Sequence, residues 1–263
     1  MSSLPATLVM ETAFVIASTA CFIAAFALSL WALRREKRVS PWVRFGVMGL
    51  GFTLQCGFLY LRGQELGRCP LTNGFEILIF VSWAIVLLYF AVGHTFHLSL
   101  LGLFTVPLTA LFQIIALMMP QGVDEPVEQA PDYWLEMHAS LSLVAYGAFA
   151  LACAAGVMFL IQDCYLRSGR LGLFFYQLPP VQYLTQAISR LLWLGFLLLT
   201  IGIVSALMMD QWPGTGKLAT IALVWLAYGA VLVWKFIHGL GARKLASAAV
   251  WVFALPVITY WFL

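Results

Sequence analysis

The chain has 263 residues, of which 63% are hydrophobic and only 10% charged, with a formal net charge of +3 at pH 7. A water-soluble globule of this length needs a polar surface that so few charges cannot provide. The basic excess is too small and too scattered for a nucleic-acid partner, which leaves an all-α, polytopic integral membrane bundle as the expected fold class.

Apolar runs recur from end to end, and eight spans fit, at roughly 6–33, 43–62, 74–93, 96–119, 134–164, 181–209, 216–238 and 243–262. No polar stretch between them is long enough for a second domain, so 1–263 is read as one membrane domain. The first connection carries Arg34, Arg35, Lys37, Arg38 and Arg44; the fifth-to-sixth carries Arg167 and Arg170, and the last Arg243 and Lys244. These mark the cytoplasmic face by the positive-inside rule. The opposite face receives Glu65, Asp124, Glu125, Glu128, Asp132, Glu136 and Asp210. Both termini are therefore expected outside a bacterial inner (plasma) membrane, with lipid as the first partner. Five cysteines, Cys21, Cys56, Cys69, Cys153 and Cys164, stand singly, without C-x-x-C or zinc-like spacing.

Arg62, Arg68 and Lys217 lie outside against the charge pattern. Each is read either as a snorkelling helix-end residue or as a contact for an anionic ligand such as a propionate. Asn73 followed by Glu76 fits an N-cap with its reciprocal acid. Glu76, Phe80 and Trp83 also share one helix face, as packing or as a cofactor wall. His94 and His97 occupy the turn after the third span, solvated or touching a metal or heme. Pro107 and Pro256 should kink the fourth and eighth spans.

The polar connection 120–133 is kept out of helix by its prolines. The fifth span then opens with Trp134-Leu135-Glu136-Met137-His138, and His138, Leu141, Ser142, Ala145 and Tyr146 form one stripe. An ionisable residue at membrane depth is a functional-site candidate by default. His138 is read either as a hydrogen-bonding element or as a heme-iron ligand. Ala152, Ala155 and Gly156 further along suit close helix contact. Gly214-Thr215-Gly216-Lys217 is too short, and lacks the preceding strand, for a phosphate loop. His238 ends the seventh span at the cytoplasmic face.

Four segments in order give the chain a resemblance to the cytochrome c assembly family of the CcsA/HemX type. Cys69-Pro70-Leu71-Thr72-Asn73-Gly74-Phe75-Glu76 with Trp83 is similar to the family's P-L-S-N-x-x-E-S…W. Leu103-Phe104-Thr105-Val106-Pro107 is similar but generic, and Trp134-Leu135-Glu136-Met137-His138 with Tyr146 resembles the W-L-x-x-H that carries an external axial histidine. The fourth is Leu199-Thr200-Ile201-Gly202-Ile203-Val204-Ser205. The tryptophan-rich outer loop ending in W-D-P-K is shortened here. Lys217 and Trp225 keep their places, and Asp210 and Trp212 stand nearby without the pattern. These departures make the chain look closer to HemX-like and YpjD-like members. The family's cytoplasmic-end histidine falls about one turn from His238, and its second external histidine has no counterpart before Leu263.

The resemblance implies a heme-handling membrane protein of cytochrome c biogenesis type that binds or passes heme on the outer face. Heme is the implied cofactor, and a partner membrane protein of cytochrome c assembly the implied associate. His138 would ligate iron, with Tyr146, Trp83, Glu76, Arg62 and Lys217 around the group and His238 at a separate inner site. Met137, Met208 or Met209 could supply the second ligand. The alternative is a non-heme accessory or regulatory subunit of a membrane transport system on the same fold. A small-solute transporter would need broken helices or half-repeats, and no internal repeat is visible. No nucleophile–base or acid pair supports an enzyme.

Overall fold

The computed structural model describes residues 6–35, 40–96, 101–119, 132–168, 181–209 and 215–262. Every regular element among them is an α-helix: α1 (Ala6–Arg35), α2 (Pro41–Leu66), α3 (Gly74–Phe96), α4 (Leu101–Met118), α5 (Tyr133–Arg167), α6 (Val181–Ala206), α7 (Thr215–His238) and α8 (Ala242–Phe262). In lipid the helix satisfies its own backbone, which is why apolar runs take this form. Among the described residues, five segments are long and apolar enough to cross a membrane: Met10–Ala32, Gly74–Val92, Tyr133–Arg167, Val181–Ala206 and Leu218–His238. The apolar part of α4, Gly102–Met118, is shorter. Polar residues dilute α2, which carries Arg44, Gln55, Arg62, Gln64 and Glu65, and Arg243 and Lys244 sit in the first turn of α8. Pro107 and Pro256 both lie inside their helices.

The helices form two compact units. The first comprises the described residues of Met1–Leu87 and Thr105–Pro131. Its apolar centre joins Val15, Phe58, Phe75, Leu78, Ile79 and Ala116. Gly51 and Gly57 let α2 approach α1 closely, since a Cβ on either would come 3.0 Å from the rings of Phe22 and Phe14. A buried polar chain adds direction to this packing. Ser18 Oγ donates to the Gly51 carbonyl (3.0 Å) and accepts from Gln113 Nε2 (3.1 Å), and Thr19 Oγ1 lies 2.9 Å from Gln113 Oε1.

The second unit comprises the described residues of Leu88–Phe104 and Asp132–Leu263. Its axis is α5, whose 35 residues span about 52 Å against roughly 30 Å of hydrocarbon. Asp132 caps it, accepting from the backbone N–H of Trp134 at 2.9 Å and Leu135 at 3.4 Å. Small residues let neighbours close on it: a Cβ at Gly195 of α6 would stand 2.5 Å from the Phe149 ring, and one at Gly156 would stand 2.9 Å from the Ala246 carbonyl of α8. Phe149 in turn stacks on Tyr228 of α7, with centroids 3.6 Å apart and planes within 8°. Asp163 closes the far end of α5, meeting Arg167 at 3.0 Å and Arg243 of α8 at 3.5 Å.

Candidate functional site

In the first unit, Arg62 and Glu76 come together as an ion pair, Nε to Oε1 at 2.7 Å, with Glu76 fully buried. Glu65 follows at 3.2 Å and Glu11 at 3.7 Å, so one guanidinium faces three carboxylates. Asn73 Oδ1 accepts from the Glu76 backbone N–H at 2.9 Å, as the sequence predicts for an N-cap. The reciprocal arm goes one residue further back: Glu76 Oε2 accepts from the N–H and hydroxyl of Thr72, both at 2.8 Å. The same side chain thereby closes the first turn of α3 and anchors Arg62. Trp83 lies between Phe52 (6.0 Å, stacked) and Phe80 (5.3 Å), and its indole N–H donates to Cys56 Sγ at 3.2 Å. Arg68 sits half-buried in the turn between α2 and α3.

In the second unit, half-buried His138 places Nδ1 2.7 Å from the Gly202 carbonyl of α6. A carbonyl only accepts, so Nδ1 carries a proton, and Nε2 is the ring nitrogen left for another partner. This is the arrangement that orients metal-binding histidines, with the distal nitrogen held by an oxygen acceptor. Glycine keeps this contact close: a Cβ at 202 would lie 2.9 Å from Ser142 Oγ, which would have to turn away. Its carbonyl also accepts from Ser205 Oγ at 2.7 Å. Ser142 Oγ is buried one turn beyond His138 with no hydrogen-bond partner among the described residues, as is Glu136 Oε1 just before it. An imidazole aimed by its neighbour, with the unsatisfied Ser142 hydroxyl one turn along the helix, fits a bound iron-containing group. Tyr146 lies half-buried two turns along α5 from His138, while Met137 and Met208 are exposed.

His238 stands apart, exposed in the last turn of α7 against Trp234 (5.5 Å). Lys235 of that turn touches Ser189, and His138 touches Gly202. Those two α6 positions are 13 residues apart, about 20 Å along the helix. One iron cannot take both imidazoles. The side chains of His94 and Lys217, and all of His97, Asp210 and Trp212, lie outside the described residues. Trp225 packs on Phe196 (5.4 Å) and donates to Thr200 Oγ1 at 3.0 Å. None of the five cysteines is joined in a disulfide, and no group of three or more His, Cys, Asp or Glu among the described residues could hold a metal ion.

Sequence reasoning missed Glu11 as a partner of Arg62, although an acid near the start of an apolar run is itself a signal. It also named Gly202 only within a motif. That this glycine bonds His138 rests on a contact between residues 64 apart.

A family described as Cytochrome C assembly protein matches the chain over residues 71–263. Among curated relatives, a cytochrome c biogenesis protein CcsA from Synechococcus sp. (strain JA-2-3B'a(2-13)) is 25% identical, over 82% of this chain and 80% of that protein. CcsA from Parasynechococcus marenigrum (strain WH8102) is 25% identical over 95% and 91% respectively. Protein HemX from Brevibacillus brevis is 27% identical over 65% of this chain and 63% of its own length.

Proposed function

We propose a function from one premise: this chain belongs to the cytochrome c assembly protein family. It is a multi-pass membrane protein, and its role is to bind heme at the His138 end of α5 as an assembly factor rather than an enzyme. The chain spans the bacterial inner membrane eight times, with both termini and His138 on the outer side, as the charge asymmetry favours. A partner membrane protein of cytochrome c assembly receives or supplies the heme there.

The observation that carries this reading is the hydrogen bond from His138 Nδ1 to the Gly202 carbonyl, which leaves Nε2 directed for coordination. When bound, heme would supply an iron centre, which His138 would hold through its Nε2. The chain's own contribution is to hold the imidazole in one orientation and to offer the Ser142 hydroxyl, one turn along the helix, as an unspent polar group. Purified protein should show a Soret band, directly or after hemin titration, and His138→Ala should abolish or shift it. Added imidazole should partly restore the band, while His238→Ala should leave it unchanged. Wild-type protein with no Soret band after hemin titration would overturn the heme reading.

A second reading, a non-heme accessory subunit of a membrane transport system, is favoured by one observation. Arg62, a candidate propionate contact, is already surrounded by Glu76, Glu65 and Glu11. A silent Soret region together with stable association to a transport partner would promote it.

A further inference from the structure

One carbonyl near the end of α6 serves two side chains. Gly202 O accepts from His138 Nδ1 of α5 at 2.7 Å and from Ser205 Oγ of its own helix, also at 2.7 Å. Ser205 is only 2% exposed, so bulk water does not compete for its hydroxyl. Beyond Gly202 the backbone tightens into i→i+3 bonds, from the N–H of Leu207 to Val204, of Met208 to Ser205 and of Met209 to Ala206. The helix finishes at Ala206, and C-terminal carbonyls carry its partial negative charge. An imidazole N–H that docks at this end is therefore polarised by it.

A carbonyl oxygen has two lone pairs, so it can take both donors. It does not take them independently. Two donors on one oxygen compete for its electron density, the reverse of a chain in which each bond polarises the next. The direction of the carbonyl is set by the α6 backbone, and Ser205 sits three residues along the same helix. Removing the hydroxyl therefore leaves the carbonyl in place as a stronger acceptor for His138.

We propose that Ser205 is a positioning residue that acts through Gly202. Its hydroxyl limits how tightly His138 Nδ1–H is held, and so sets the donor strength of Nε2. The inference deepens the heme reading above and rests on it for the iron, though not for the imidazole. The plainer role for Ser205 is to satisfy its own buried hydroxyl by turning back along the helix. That role predicts a change in stability on substitution and none at the imidazole.

NMR of the full chain in detergent micelles, with nitrogen-15 at histidine only, separates the two. The chain has four histidines, and the His138 signal is the one lost in His138→Ala. In heme-free protein, Ser205→Ala should move the His138 Nδ1–H proton downfield, as a strengthened hydrogen bond does. Ser205→Val should do the same. Ser205→Thr has the shape of valine but keeps a hydroxyl that can reach the carbonyl one turn back, and should hold the wild-type position. After hemin loading, the midpoint potential should be lower in the alanine and valine variants than in wild type, because a stronger nitrogen donor favours ferric iron. Size-exclusion profiles keep the comparison to folded protein, and Ser205→Ala decides alone if the larger side chains do not fit. An unmoved or upfield His138 proton in Ser205→Ala would overturn the inference, as would a downfield shift with an unchanged midpoint. A downfield shift in protein that takes up no hemin would support the link from Ser205 to His138 and overturn the heme reading alone.

Discussion

Glu76 is fully buried, and its carboxylate is the nearest partner of a guanidinium whose side chain is only 12% exposed. Removing one member of such a pair takes the nearest counter-charge from the other in a low-dielectric setting, a loss of up to about 3–5 kcal/mol, and without Glu76 the guanidinium keeps only the longer contacts to Glu65 and Glu11. Glu76→Ala and Arg62→Ala should therefore each lower the thermal unfolding midpoint strongly. The double variant should lose clearly less than the two single losses added together. Additive losses would mean that the pair is not coupled. Glu65, at 41% side-chain exposure, should be far more tolerant, because exposed pairs contribute about 0–1 kcal/mol. The cap at Asn73 was legible in the sequence because its partner is three residues away. Glu11 was not, since its partner Arg62 is 51 positions along the chain and only packing brings them together.

Among the helices, α5 is set by residues without bulk on its neighbours and on itself. Gly195 of α6 faces the Phe149 ring, and that ring cannot swing away freely because it is stacked on Tyr228. Gly195→Ala should lose about 1–3 kcal/mol through overpacking, read as a lower unfolding midpoint in detergent. Phe149→Leu in the same chain should recover part of that loss. Gly156 meets a different obstacle, the backbone carbonyl of Ala246 at 2.9 Å. No side-chain truncation on α8 should rescue Gly156→Ala, because the backbone must move. The sequence marked Ala152, Ala155 and Gly156 as a close-contact face, and Gly156 does meet α8. It could not mark Gly195, where the need for glycine comes from an aromatic ring on another helix.

For the molecule as a whole, the eight apolar stretches were legible because lipid forces helices wherever apolar length allows. The structure has a helix at each, although five segments meet the combined length and hydropathy of a spanning segment. Orientation is a separate matter, resting on Lys and Arg asymmetry. Reporter fusions after Gly122 and Pro213 should be active outside, and fusions after Lys37, Gly169 and Gly241 in the cytoplasm. A cytoplasmic signal at Gly122 would reverse the orientation and move His138 to the inner side. The candidate site was half legible in the same sense. His138 announced itself by its depth in an apolar run. Its orientation is set by Gly202, and the distance to His238 is read from the packing of α5 and α7 on α6.

The polar chain of Ser18, Thr19 and Gln113 has a consequence for synthesis. Thr19 and Gln113 are 94 residues apart, so at roughly 5–20 residues per second the ribosome needs about 5–19 s to supply the glutamine. Over that interval the Ser18 hydroxyl can already hold the Gly51 carbonyl, 33 residues on. The nascent α1–α2 hairpin would therefore wait in the translocon's vicinity with the Ser18 oxygen still lacking its donor and the Thr19 hydroxyl its acceptor on Gln113, a latch completed only when α4 emerges.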